Sequence, residues 1–104
     1  FKERIREIHE EVVIARLDVE RYQKALVIAR LKEALMNDSA AQTRERYRQG
    51  ASGILELTQA EQDLLQSELE YADLLKDYYL AQAKYRMALG QWADEGTKSQ
   101  GEFH

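Results

Sequence analysis

The sequence predicts an all-α fold, a long antiparallel two-helix coiled-coil hairpin. Its 104 residues include no proline, although about five per hundred are ordinary in soluble proteins. Charged residues make up 33% of the chain, a share typical of long helices and coiled coils. Two of its five glycines, Gly50 and Gly53, lie together near the midpoint, where a reversal would join two helices.

The first half carries an apolar stripe at coiled-coil spacing. Steps of three and four residues place its members on one side of a helix. They are Ile5, Ile8, Val12, Ala15, Val19, Tyr22, Leu26, Ala29, Met36 and Ala40, with Glu33 as an exception. A partial second stripe contains Val13, Leu17, Ile28, Leu31 and Leu35. Two adjacent stripes predict contact with more than one neighbouring helix.

One possible break interrupts this first helix. Asn37, Asp38 and Ser39, followed by Gln42, resemble a capping box at which a new helix could begin. No glycine or proline lies nearby, so we predict one continuous helix over about residues 2–48. Residues 37–46 contain few large apolar side chains, as expected of a helix segment that faces water.

The glycines near the midpoint predict a tight reversal, with a tip turn at 49–52. Gly50 can adopt the left-handed conformation just past a helix end. Ser52 can cap the second helix, and Glu56 in its first turn is favoured by the helix dipole. We predict this second helix over about residues 53–90, with Gly90 ending it. A short connection implies that the two helices are antiparallel neighbours.

The second helix has the more regular apolar stripe. It runs through Leu57, Ala60, Leu64, Ser67, Tyr71, Leu74, Tyr78, Ala81, Tyr85 and Ala88. A second set widens it: Leu65, Leu69, Ala72, Leu75, Tyr79 and Leu89. A sustained seven-residue repeat predicts a left-handed supercoil, and a buried helix in an ordinary bundle is the alternative. The hairpin thus covers residues 1–92, and 93–104 are expected to form a polar tail or linker, of the kind that an expression vector can add.

Charge and composition narrow the possible functions. Residues 1–50 hold 11 Lys/Arg and 9 Asp/Glu, whereas residues 51–104 hold 4 and 10, so the halves attract each other weakly. The net charge of −4 argues against nucleic acid as a partner. We expect no enzyme, because no nucleophile–base set is present, and we expect no catalytic residue, cofactor or metal site.

No apolar run reaches the roughly 20 residues that span a bilayer. The chain begins with Phe1 rather than methionine, and we interpret it as a segment of a longer protein.

The ordered residues around the reversal resemble a known family. The pattern Tyr47-x-x-Gly50 is followed by Ile54-Leu55-Glu56-Leu57, Gln59-Ala60-Glu61, Leu64-Leu65, Tyr71, Asp77-Tyr78, Ala81 and Ala88-Leu89-Gly90. This set is similar to the second periplasmic α-helical hairpin of TolC-like outer-membrane efflux channels, the outer membrane factors. The first half is also similar, through Ile5, Ile8, Glu11, Val12 and Ala15. The resemblance covers roughly residues 5–90.

The resemblance implies a function in transport. The chain would be a periplasmic tunnel segment of a homotrimeric channel, in the periplasmic part of a Gram-negative outer-membrane protein. Its hairpin tip would dock a periplasmic adaptor protein and, through it, an inner-membrane pump in a tripartite efflux system. Contact with the membrane would come only from regions outside this sequence.

The implied site is the hairpin tip. The adaptor-docking residues would be Tyr47, Arg48, Gln49, Gly50, Ala51, Ser52 and Gly53, and the gated aperture would be formed by Tyr47, Glu56 and Gln59. Ser52 stands where some family members have an arginine that bonds across helices, and Gln59 stands where a second carboxylate can occur. Both departures argue against a charge-locked, cation-binding aperture.

Two other functions remain open from the sequence. The hairpin could belong to the periplasmic adaptor (membrane fusion) protein, although the arginine–leucine–serine tip pattern usual in those hairpins is absent. It could also be a structural coiled coil whose only function is self-association.

Overall fold

The computed structural model describes the backbone of residues 2–102 and the side chains of residues 2–97. Two helices account for almost all of it: α1 spans Lys2–Arg48 and α2 spans Ile54–Glu102. No strand occurs among these residues. The prediction of an all-α, antiparallel two-helix hairpin is confirmed, as is the prediction of one first helix ending near residue 48.

α1 passes through the possible break without interruption. Asn37, Asp38 and Ser39 lie exposed on the helix surface, while Ala40 and Thr43 just beyond them are buried. A capping box stabilises a helix start by about 1 kcal/mol. Burial of the stripe on both sides of the segment outweighs that local preference, so the helix continues.

α2 does not end at Gly90, and that prediction is wrong. The helix continues to Glu102, so residues 93–102 are helical rather than a frayed tail, while Phe103 and His104 of that tail lie outside the described residues. A glycine inside a helix costs only about 1 kcal/mol relative to alanine. Trp92 and Glu95 continue the stripe beyond Gly90 and contact α1, which compensates for this cost.

The chain forms two compact units. The end unit comprises the described parts of Phe1–Gln23 and Lys76–His104, and the tip unit comprises Lys24–Leu75. Each unit contains a stretch of α1 packed against a stretch of α2. The main stripes predicted for both helices are buried or half-buried at every position, including the exception at Glu33.

In the end unit, contacts between the helices follow an antiparallel order. Arg4 pairs with Glu95, with Nε and Oε1 3.6 Å apart. The rings of His9 and Trp92 lie 5.4 Å apart. Farther along α1, the side-chain amide of Gln23 donates a hydrogen bond to the Tyr78 hydroxyl at 3.3 Å. Residue numbers in α1 therefore rise as those of their α2 partners fall.

A polar group interrupts the core of the end unit at Tyr78. Its hydroxyl accepts hydrogen bonds from Gln23 on α1 and, at 2.8 Å, from Gln82 on α2. The ring is half-buried in the main stripe. Because its hydroxyl is satisfied by both helices, the tyrosine can occupy a core position without a buried unpaired group.

The tip unit has the same antiparallel order. Lys32 pairs with Glu70, with Nζ and Oε2 3.0 Å apart, and Arg44 pairs with Glu61 at 3.5 Å. In both pairs the basic residue comes from α1 and the acidic residue from α2, as the charge difference between the halves predicts. The Lys32 ammonium, first by its hydrogen bond and then by its charge, lowers the pKa of Glu70 below its ordinary value.

Small side chains dominate the buried positions of the tip unit. The buried residues of its stripes are Ala29, Ala40, Thr43, Leu57 and Ser67. The Ser67 hydroxyl donates to the Leu64 carbonyl at 2.7 Å, and the Thr43 hydroxyl donates to the Ser39 carbonyl at 2.8 Å. Both buried hydroxyls are thus satisfied within their own helix, and their small size allows the two backbones to approach closely.

The second stripes remain largely exposed. The exposed members are Leu17, Ile28, Leu31 and Leu35 on α1, and Leu65, Leu69, Ala72, Tyr79 and Leu89 on α2. The two remaining predicted members, Val13 and Leu75, are half-buried. The hairpin therefore satisfies one apolar face of each helix by itself and leaves a second face without a partner.

Candidate functional site at the hairpin tip

α1 ends in a turn that requires glycine. Gly50 has a φ of 76°, in the left-handed region where other residues are rarely found. Its N–H donates to the Tyr47 carbonyl at 3.1 Å, and the Ala51 N–H donates to the Arg46 carbonyl at 2.8 Å. These two bonds define a Schellman motif. The prediction that Gly50 adopts the left-handed conformation is confirmed.

The start of α2 differs in detail from the prediction. The Gly53 carbonyl accepts the Leu57 N–H at 3.2 Å, so Gly53, rather than Ser52, occupies the N-cap position. Because the first helical residue is Ile54, the turn covers residues 49–53. Ser52 lies one position too early to cap the helix, and its buried hydroxyl donates to the Glu56 carboxylate at 2.5 Å instead.

The surface of the tip combines apolar and polar groups. Tyr47 is 43% exposed and Leu55 is 82% exposed, the largest fraction among the large apolar side chains of the described residues. Ile54 is also exposed, as are Arg48 and Gln49. No atom outside the neighbouring residues lies within 4 Å of a Cβ built on Gly50. The turn therefore presents an open surface.

The residues assigned to an aperture do not form one hydrogen-bonded group. Glu56 accepts from Ser52, and the Gln59 side chain donates to Asp63 at 2.9 Å. Within the described tip, no hydrogen bond links the Tyr47 hydroxyl to Glu56 or Gln59. Glu56 and Gln59 are three residues apart on α2 and so share a helix face.

The arginines before the turn have different partners. Arg44 reaches across to Glu61 on α2, whereas Arg48 pairs within α1 with Glu45 at 3.5 Å. The Gln49 side chain also donates to Glu45, at 3.4 Å. Exposed pairs of this kind contribute about 0–1 kcal/mol each. The arginines place positive charge around the tip without forming a single basic patch.

Thr43 is a tip residue that the sequence reasoning missed. It is 5% exposed, and besides donating to Ser39 its hydroxyl accepts a hydrogen bond from the Arg46 guanidinium at 3.4 Å. The signal was present: three residues beyond Ala40 the repeat reaches Thr43, and four residues later it reaches Tyr47. Because threonine is polar, the apolar pattern alone does not show that the repeat continues through Thr43.

Other kinds of site are not seen in the described part of the chain. No group of three or more His, Asp or Glu side chains there could hold a metal ion. Neither helix has, over its described residues, an apolar stretch long enough to cross a membrane.

Comparison with known proteins finds no match: no family model matches the chain, and no curated protein or solved structure is significantly similar to it. The tip combines a left-handed glycine with exposed apolar side chains around the turn, at the junction of two long helices.

Proposed function

We propose that this chain is a wall segment of the periplasmic tunnel of a TolC-like, trimeric outer-membrane efflux channel. Its tip would dock a periplasmic adaptor protein and contribute to the gated aperture. The observation that carries the proposal is the reversal itself. Tyr47 lies three residues before a left-handed Gly50, between helices of 47 and 49 residues.

The exposed second stripes support a role in a wall. A helix in a closed wall contacts neighbours on two sides, so it needs two apolar faces. α1 and α2 each bury one face in the hairpin and leave exposed aliphatic side chains on another. In the proposed trimer, those faces would be covered by adjacent helices of the same channel.

The open surface of the turn supports docking at the tip. Leu55 and Ile54 expose apolar area beside the turn, and apolar groups near the centre of a protein–protein contact contribute much of its stability. Ala51 is exposed as well. The partner that fits this position in the proposed channel is the tip of the adaptor, which would meet the turn end-on.

The bond between Ser52 and Glu56 supports a specific arrangement of the aperture. In a trimer, three copies of Glu56 would face the same axis, each held by a hydroxyl from its own turn rather than by an arginine. A neutral donor provides less electrostatic attraction than a guanidinium. We therefore expect the closed tip of this channel to lack a cross-helix ion pair at Ser52.

The proposal is tested by Ala51→Trp in the full-length channel that contains this hairpin. Ala51 is exposed and follows a glycine with open space around it, so the indole should be accommodated within the hairpin and should obstruct a partner at the tip. We expect normal trimer assembly, loss of adaptor cross-linking and loss of efflux. Ala41→Trp, at an exposed position of α1 that belongs to neither apolar stripe, is the matched control and should affect neither.

Unchanged adaptor cross-linking and efflux in Ala51→Trp would refute docking at the tip. That outcome would favour the structural coiled coil, in which the turn serves only to join two helices. If the same substitution abolished self-association of the isolated chain, the tip would be a contact between copies rather than an adaptor site.

A further inference from the structure

The end unit contains a groove between α1 and α2 with an apolar lining. Its volume is about 430 Å³. Small side chains form the floor, and larger exposed ones form the walls; the floor comprises Ala15, Ala81 and Ala88, and the walls comprise Ile14, Leu80 and Met87. Met87 is 68% exposed and Ile14 59% exposed. The groove is thus shaped to accept side chains that project from another helix.

The rim of this groove is acidic. Glu11, Asp18 and Asp77 line it together with a single ammonium group, that of Lys84. Asp18 also pairs with Arg21 one turn along α1, at 3.4 Å. The residues that line the groove carry more negative than positive charge, so a partner with basic groups beside its apolar side chains would be favoured.

The tip unit presents an aliphatic stripe on the outer side of α1. It comprises Val27, Ile28, Leu31 and Leu35, which are 62%, 68%, 62% and 64% exposed. Their spacing places them on one helix face over more than two turns. Lys24, four residues before Ile28, extends the same face with a positive charge, and Asp38, three residues after Leu35, adds a negative charge at its other end. With Arg30 beside the stripe, positive charges outnumber negative ones there.

We propose that the acidic groove of one copy binds the aliphatic stripe of a second copy of this chain. The stripe supplies projecting aliphatic groups to a groove whose floor is made of alanines. Lys24, and Arg30 beside the stripe, supply the positive charge that the rim lacks. The inference concerns the 104-residue chain itself and does not depend on the proposed function.

Charge distinguishes this occupant from an exposed aliphatic pair on α2 of the tip unit. Leu65 and Leu69 on α2 are also more than half exposed. However, Glu68 and Asp73 lie on the exposed surface beside them. Docking that pair in the acidic groove would place carboxylates against carboxylates, which disfavours the contact. The stripe on α1 is therefore the matching surface.

Disulfide trapping tests the geometry, because the chain contains no cysteine. Met87→Cys and Ile28→Cys are prepared as separate proteins, mixed and oxidised. We expect a mixed disulfide between the two copies as the main product. The control replaces Ile28→Cys by Leu55→Cys, which is more exposed but lies at the tip. Equal cross-linking in the control mixture, or none in the test mixture, would overturn the proposal.

Sedimentation equilibrium tests the contribution of each surface. Leu31→Gln in the stripe and Leu80→Gln in the groove should each raise the dissociation constant of self-association at least tenfold. Leu69→Gln, of the same chemistry and similar exposure, should leave it unchanged. All three positions are exposed, so helicity measured by circular dichroism should be preserved.

Charge reversal gives an independent criterion. Lys24→Glu and Asp77→Lys should each weaken self-association, and an equimolar mixture of the two variants should associate more strongly than either alone. A wild-type chain that stays monomeric at about 100 µM would refute the proposal. Association that responds to the stripe variants but not to the groove variants would refute it too, since the stripes would then pack against each other.

Discussion

Replacing two glycines by alanine should change the stability of the hairpin in opposite directions. Gly50 has a φ of 76° in the turn, whereas Gly90 has no positive φ and lies within α2. Nothing lies within 4 Å of a Cβ added at either position. Steric clashes therefore do not distinguish the two sites, and only the backbone conformation does.

The magnitudes follow from the conformation at each site. Placing a residue with a Cβ in the left-handed region costs about 1–2 kcal/mol. Alanine also lowers the conformational entropy of the unfolded chain, which stabilises the folded state by about 0.4–1 kcal/mol. Gly50→Ala should thus lower the free energy of unfolding by about 1 kcal/mol. Gly90→Ala should raise it by a similar amount, because alanine is about 0.8–1.0 kcal/mol more favourable than glycine within a helix.

The assay is urea unfolding followed by far-ultraviolet circular dichroism, with the midpoint compared at constant slope. Gly50→Asn serves as the control for the turn, because asparagine tolerates the left-handed region better than alanine. Its loss of stability should be smaller than that of Gly50→Ala. Both turn variants should retain the helix content of the wild type.

Two results would refute this reasoning. Wild-type or higher stability in Gly50→Ala would mean that the turn does not need a left-handed residue. Loss of stability in Gly90→Ala would mean that glycine has a favourable role there, as it would at a helix end. The second outcome would restore the sequence prediction that α2 ends at Gly90.

Two further predictions concern contacts in the tip unit. Lys32→Gln should raise the pKa of Glu70 towards its ordinary value of about 4.3, measured by NMR titration of the carboxyl carbon; an unchanged pKa would contradict the assigned cause. The pKa of Glu70 is lower in the folded chain than its ordinary value. The Lys32–Glu70 pair therefore stabilises the fold fully at pH values above the ordinary pKa, and this stabilisation is lost as the pH falls through the folded pKa. Ser67→Leu, at a position 1% exposed, should lower the free energy of unfolding by about 1–3 kcal/mol through overpacking. The control Ala72→Leu, on the exposed surface, should be nearly neutral. Equal effects of the two substitutions on the urea midpoint would exclude close packing at Ser67.

The repeat pattern predicted the core of this protein well. Every member of the main stripes is buried or half-buried, including Glu33, which interrupts the apolar character but not the spacing. A seven-residue repeat sustained over many turns keeps the same face of a helix against its partner along its length. Whether a residue is buried then depends more on its place in the repeat than on the chemistry of its side chain.

The details of the tip could not be read in the same way. Ser52 has the chemistry of a cap, but Gly53 occupies the cap position and the Ser52 hydroxyl bonds to Glu56. A shift of one residue at a helix start changes every capping partner. Sequence-based boundaries are uncertain by more than that, so a site composed of caps and turns depends on the folded structure.

By itself, the sequence determined two long helices, a glycine reversal between them and the faces on which they meet. These follow from local rules, the repeat and the left-handed preference of Gly50, which act within a few residues. Only the tertiary structure decided that α2 continues past Gly90 and that the second stripes remain exposed. Both depend on whether a partner side chain lies opposite: α1 provides one for Trp92 and Glu95, whereas the outer faces of the helices have none within the hairpin.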